Sequence, residues 1–252
     1  MRHEMSDANV LERTSHQDDV YNLISRVTCR RAIREDERAA IFKLRYACYK
    51  REGALPEGAP QLFTDSYDTT PNSAIFGYYI DGALVASIRV HVGAIPLQQI
   101  PAMTAFADIM GPLLARGIKV TDPTRFVIDA DASHEFPRLS SVVLRACTMV
   151  QMRVQGIFLA TVRTEHQAFY RRLMNAKLVC PARKYPSLAK PISLMFTDHQ
   201  SMVGPCMRRF PYFASTPEER QAVLGDFAKQ FEDDATPPIS LHDLQLAELS
   251  AA

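Results

Sequence analysis

The sequence predicts an α/β protein, a mixed central sheet flanked by helices. Three observations carry this. Asp81-Gly82 lies between two β-rich runs in AIFGYYIDGALVASIRVHV (74–92), a strong two-residue hairpin signature. IFLATV (157–162) is a continuous apolar run that reads as a buried strand. Along the chain the pattern runs helix, hairpin, strand, helix, strand, helix, strand, which is an α/β sandwich.

The elements follow in order. Residues 1–28 are polar and mixed, without a clear period, and read as a loose arm or peripheral helix. REDERAAIFKLRYACYK (34–50) puts Ile41, Leu44 and Cys48 on one helical face, with acids in the first turn favouring the helix dipole, and Gly53 and Pro56 end it. Arg45, four residues after Ile41, falls on the margin of the buried face. FTDSYDTTPN (63–72) is turn chemistry, since Asp and Asn side chains cap tight bends. In the second hairpin strand Leu84, Ala86, Ile88, Val90 and Val92 share one face, and Ser87, Arg89 and His91 share the other with Val85. That second face is either half solvated or turned towards a cleft.

A Pro-punctuated helical stretch (about 101–117) leads to RFVID (125–129), a short strand whose alternation puts Arg125, Val127 and Asp129 on one face. A loop, ADASHEFPRLSS, and a helix over roughly 140–155 follow. RTEHQAFYRRLMNA reads as a helix with His166 and Tyr170 one turn apart. The chain is extended again near 178, and PISLMFTD (191–198) is the last strand. Beyond 200, Thr216-Pro-Glu-Glu219 is a capping box with proline at the first helical position, opening a helix to about 231. DDATPPIS (233–240) is a linker before a short tail. The expected division is an arm (1–28), a main domain (29–199) and a C-terminal helical appendage (200–252).

Composition excludes several classes. The chain has 252 residues, 47% apolar and 23% charged, with a formal net charge of +1, so the balance argues neither for a nucleic-acid binder nor for a chain held to an anionic membrane. No apolar run is long enough to span a bilayer, and the N-terminus lacks a signal-peptide core, so a cytoplasmic protein is expected. Five scattered cysteines contain no C-x-x-C, which disfavours a disulfide framework or a zinc site; no metal and no dissociable cofactor is expected. The oligomeric state is left open.

Taken together, the quoted stretches resemble a known family. LRYACYKREGAL around Arg45, Asp65-x-x-Asp68, VASIRVHV around Arg89, Asp122-Pro-Thr-Arg125, EHQAFYRRL and YPSLAKPISLMF stand in the order and spacing of the N-acetyltransferase superfold (GNAT). Within it the resemblance is to the branch holding acyl-homoserine lactone synthases and long-chain N-acyl amino acid synthases, and it covers about 33–198. The resemblance implies a GNAT-like acyltransferase fold and a polar cluster of Arg45, Asp65, Asp68, Arg89 and Arg125 lining the cleft, with Asp122 and Arg125 flanking the start of a strand next to it. Where lactone synthases show Glu-x-x-Arg this chain has Asp122-x-x-Arg125. It also has no tryptophan, with Leu55 near the place where one is expected; both departures tell against lactone synthesis, while REGAL, EHQAFYRRL and YPSLAKP resemble the N-acyl amino acid synthases.

Acyl transfer to an amino acid needs a neutral amine, a positioned thioester, donors for the oxyanion and a receptor for the substrate carboxylate. Arginines suit the last task, and Arg89 is expected to face the acceptor's head group, with Asp65 and Asp68 bracketing the cations. The alternative for the pair is a solvated turn, and for Asp122 and Arg125 an ordinary salt bridge. By the resemblance, Asp129, Ala130, Asp131, Ala132 and Ser133 lie against the donor's thioester and pantetheine. Ser140 or Ser141 opens a helix whose free N–H groups suit a phosphate. Tyr170 is the expected general acid for the departing thiolate, with His166 as base or neighbour; both also fit a structural role. The Gly-rich loop that cradles CoA pyrophosphate is missing, which favours an acyl-carrier-protein donor. Arg171, Arg172, Lys177, Arg183 and Lys184 form a basic cluster able to meet such a carrier. The rivals are acyl-homoserine lactone synthesis and a non-catalytic acyl- or amino-acid-binding regulator.

Overall fold

The computed structural model describes residues 7–227 and 229–231, with side chains from residue 17 onward. The expected linker and tail beyond 232 lie outside the described residues. Seven strands, β1 (Val27–Arg31), β2 (Ser73–Ile80), β3 (Ala83–Gly93), β4 (Val120–Ile128), β5 (Ile157–Val162), β6 (Lys177–Arg183) and β7 (Ile192–Asp198), form one sheet in the order β1-β2-β3-β4-β5-β7-β6. Neighbours are antiparallel except β4 and β5, which run parallel. The helices are α1 (Asp7–Arg26), α2 (Glu35–Arg51), α3 (Met103–Ala115), α4 (Ala130–Glu135), α5 (Leu139–Val154) and α6 (Gln167–Met174), then the short α7 (His199–Ser201), α8 (Met207–Arg209) and α9 (Pro217–Leu224) after the last strand.

The hairpin turns where the sequence says it should. Asp81 and Gly82 both have positive φ, 50° and 81°, as a primed two-residue turn requires. Both faces of β3 are buried. Ala86, Ile88, Val90 and Val92 join the main core under α5, while Ser87, Arg89 and His91 lie on the α2 side and are fully covered rather than half solvated. A second core between α3 and the other half of the sheet uses Phe106, Met110, Leu159, Leu194 and Phe196.

Four expectations are revised. The strand around Arg125 begins at Val120 and includes Asp122-Pro-Thr. The 130–141 stretch is not simply loop: Asp129 accepts from the N–H groups of Asp131 and Ala132 and caps α4. The helix opened by Thr216, whose hydroxyl accepts from Glu219 N–H, stops at Leu224 because Gly225 (φ 54°) turns the chain away. Residues 27–31, which straddle the expected end of the arm at 28, form an edge strand paired with β2. The segment after β7 packs into the main core through Tyr212, Phe213, Leu224, Phe227 and Phe231.

The feature that positions the site is the parting of β4 from β5. They pair only at Val120–Ile157 and Thr121–Phe158. This apex is pinned: Thr121 Oγ1 donates to Gln151 Oε1 at 2.7 Å, and Gln151 Nε2 donates to Gly156 O at 2.6 Å. Gly156 is required there, since a Cβ would lie 2.0 Å from Lys119 O. Beyond the apex the strands make no ladder, and a cavity opens between them.

Candidate active site

The cavity measures about 370 Å³ and runs between β4 residues 123–128 and β5 residues 159–162, roofed by the end of α2 and by Phe169 and Tyr170 of α6. Its wall is mostly apolar, including Phe126, Ile128, Leu159, Val162, Phe169 and Ile192.

One wall is built by a break in β4. Between Ser87↔Val127 and Arg89↔Thr124 the β3–β4 register shifts by one residue, and Arg125 takes φ 54°. The bulge leaves Arg125 and Val127 buried in alternation with Phe126 and Ile128, whereas Asp129 stands outside the strand as the α4 cap. It also sets the Arg125 side chain on the cavity wall beside Thr124.

Behind Arg125 lies a buried ionic network between α2 and the sheet. Asp65 precedes a 3₁₀ turn (Ser66–Thr69) that contains Asp68, and the two cap it reciprocally: Asp65 accepts from Tyr67 N–H at 3.0 Å, and Asp68 accepts from Asp65 N–H at 3.0 Å. The same carboxylates take the guanidiniums. Arg45 Nη1 lies 2.8 Å from Asp68, and Arg89 Nη1 bridges Asp65 at 2.5 Å and Asp68 at 2.9 Å. Arg125 Nη2 donates to Asp65 at 2.6 Å and to Ser187 Oγ at 3.1 Å. The turn and the bracket for cations are therefore one structure. Arg45 and Arg89 are 0% exposed.

The charges respond to this setting. Burial raises the carboxyls of Asp65 and Asp68, but the arginines outweigh it and hold both below the usual range. Burial pulls Arg45 down to about 10 despite Asp68. Arg125 is held above its ordinary value, the Tyr49 and Asp65 oxygens offsetting burial. His91, desolvated beside Arg89, is lowered to about 3; it donates from Nε2 to Tyr67 O at 2.9 Å and is neutral.

The expected residues divide. Arg125, Ser133, Ser140, His166 and Tyr170 line the cavity; Arg45, Asp65, Asp68 and Arg89 support it from behind. Arg89 is not part of the cavity wall; its Nε donates to Thr124 Oγ1 and both Nη atoms to Asp65. Asp122 is fully buried against the start of α3, Oδ2 accepting Ala102 N–H at 2.8 Å while Oδ1 has no partner, and burial raises its carboxyl to about 7. Asp129 is an α4 cap, Ala130 and Asp131 are exposed, and Ala132 and Ser141 are buried. His166 belongs to a 3₁₀ turn ahead of α6. Burial raises the Tyr170 phenol, which stays neutral. Arg171, Arg172, Lys177 and Lys184 are exposed, whereas Arg183 is paired with Asp108 at 2.6 Å. Sequence reasoning missed Tyr49 and Phe63, whose rings flank the Arg125 guanidinium at 5.7 and 4.2 Å, and Ser187. It also missed Arg51, Glu52, Arg163 and Lys190 at the mouth. All of them lie inside stretches quoted above, Tyr49, Arg51 and Glu52 in LRYACYKREGAL and Ser187 and Lys190 in YPSLAKP, but residue type alone did not single them out.

Residues 40–198 match the sequence profile of the family N-acyl amino acid synthase FeeM, more than half of the chain. The chain belongs to this family. No curated protein sequence matches it. The solved structure of FeeM, an N-acyl amino acid synthase from uncultured soil microbes, superposes with a TM-score of 0.61 at 15% identity, over 73% of this chain and 98% of that one. The AHL synthase LasI superposes at 0.51 with 15% identity, over 71% and 94%. The FeeM family member described here thus has a GNAT-like fold and is an acyltransferase acting on nitrogen. No helix among its described residues is long and apolar enough to cross a membrane. Among those residues no cluster of His, Cys, Asp or Glu is arranged to hold a metal ion.

Proposed function

We propose that this enzyme moves a fatty acyl group from the phosphopantetheine thioester of an acyl-carrier protein to the α-amino group of an amino acid. The observation that carries the reading is Arg125. It is the member of the buried network that reaches the cavity, and the network sets three guanidiniums against two carboxylates, so it presents an unbalanced positive charge there. A carboxylate-bearing acceptor supplies the missing negative charge.

With its carboxylate on Arg125, the acceptor's amine lies in the gap between β4 and β5. The neutral amine attacks the thioester carbon, the C–N bond forms, and the C–S bond breaks. β4 main-chain groups beyond the apex, freed from a β5 ladder, are available to the carbonyl oxygen. Tyr170, neutral and on the cavity wall, hydrogen-bonds the departing sulfur in this reading. Asp65 and Asp68, held deprotonated by arginines, are poor proton acceptors; Glu52 and His166 are the lining groups able to take the amine's proton. The apolar wall suits an acyl chain. The missing Gly-rich loop and the exposed Arg171, Arg172, Lys177 and Lys184 support a carrier-bound donor.

Mass spectrometry of lipid extracts from cells overproducing the chain tests this. N-acyl amino acids that appear with the wild type and vanish with Arg125→Gln are the expected result. Lactones instead would make it a lactone synthase. Absence of both, from folded protein with abundant donor, would favour a non-catalytic binder.

A further inference from the structure

The cavity mouth holds cations that the transfer step leaves unused. Arg51, Arg163 and Lys190 all line it. Arg163 stands one residue past β5, with its side chain 15% exposed, and three side chains converge on it. Nη2 donates to Glu52 Oε2 at 2.7 Å and to His166 Nε2 at 2.6 Å, and Nε faces Glu165 at 3.2 Å. A guanidinium only donates, so His166 accepts at Nε2 and carries its proton on Nδ1. Lys190 Nζ donates to the main-chain oxygen of Glu52 at 3.3 Å. Every partner of Arg163 is thus a side chain at the surface, the Glu52 side chain being 47% exposed, and can be exchanged for a better acceptor.

A second feature meets Arg163 at this end. The two-residue return Gln155–Gly156 runs α5 antiparallel to β5, so the start of α5 with Ser140 and the end of β5 with Arg163 share the mouth. A helix N-terminus, a hydroxyl and a guanidinium fork there suit a phosphate dianion better than they suit a carboxylate. Of the buried arginines, Arg45 and Arg89 do not line the cavity, and Arg125 is assigned to the acceptor's carboxylate.

We infer that Arg163 receives the phosphate of the donor's pantetheine arm, and that Glu52 and His166 hold its guanidinium at the mouth until the phosphate replaces them. This rests on the pantetheine-thioester reading above. Glu52 competes with the phosphate and thereby sets how tightly the donor is held.

Isothermal titration of the purified chain with 4′-phosphopantetheine and with pantetheine separates the phosphate contact from turnover. The wild type should bind the phosphorylated compound about tenfold tighter or more. Arg163→Ala should abolish that preference while leaving pantetheine affinity unchanged, and Arg163→Gln, the milder change, should do the same. Glu52→Gln should strengthen the preference. Equal binding of both compounds by the wild type would overturn the assignment. So would a preference that survives in both Arg163 variants, which would leave the phosphate on α5 alone. A preference carried by Arg163 in a protein that turns over no acyl thioester would uphold the contact and overturn the acyl-transfer reading instead.

Discussion

Two ionic clusters flank the same cavity and use similar groups to opposite ends. Behind the wall, Arg45, Asp68, Arg89 and Arg125 are buried and bonded to one another through Asp68 and the partly buried Asp65. At the mouth, Arg163, Glu52, Glu165, His166 and Lys190 meet over comparable distances but in contact with water. Desolvation makes the difference. A buried charge that loses its partner cannot be rescued by solvent, whereas a half-exposed one can. The inner cluster is therefore a rigid mount that aims a single guanidinium, and the outer one a set of exchangeable contacts suited to arriving ligands.

The largest expected effect lies inside. Asp68→Ala leaves Arg45 and Arg89 short of a carboxylate in a buried site, and should cost about 3–5 kcal/mol in urea unfolding. A loss below about 1 kcal/mol would mean that water reaches the network.

Asp122 comes next, and its sign is fixed by linkage. Its carboxyl titrates near 7 in the folded chain and near 3.8 ordinarily, so between those values the folded chain holds a proton that the unfolded chain has released. Stability from this group is full below about pH 4 and lost as pH rises to about 7. Asp122→Asn keeps an acceptor for Ala102 N–H and should be more stable than wild type at pH 8, by up to about 4 kcal/mol relative to their difference at pH 4. Parallel pH profiles for the two proteins would place the proton elsewhere.

Arg125→Lys keeps the charge and loses the fork shared by Asp65 and the acceptor. It should lower kcat/KM for the amino acid by about a hundredfold, with the effect mainly in the acceptor's KM. An equal rise in the donor's KM would blur the division of the cavity. The smallest effect is at the mouth: Glu52→Gln should shift stability by less than about 1 kcal/mol, and a larger loss would make the outer cluster structural as well.

The sequence was most legible where local chemistry decides. Asp81-Gly82 specified the hairpin, and the unbroken apolar IFLATV specified β5 to the residue. VTCRR gave no comparable signal for β1, because an edge strand with alternating partial burial carries polar residues. DASHE became α4 through one cap, which spacing alone does not distinguish from a loop. The inner cluster was visible as residue types, since Asp65 and Asp68 lie three apart and Arg45 and Arg89 fall on inward faces. What escaped was the left-handed backbone at Arg125, the arginine of the cluster that lines the cavity where Arg89 does not. The outer cluster joins residues up to 138 positions apart, Glu52 with Lys190, and only the crossing of α2, β5 and the β6–β7 connection brings them together.

The central claim is that Arg125 reads the acceptor's carboxylate. Its most direct test compares each free amino acid with its carboxamide as acceptor, using one acyl thioester and steady-state kinetics. The account predicts that wild type strongly prefers the free acid, and that Arg125→Gln accepts acid and amide alike at a low rate. Equal use of acid and amide by the wild type would contradict it.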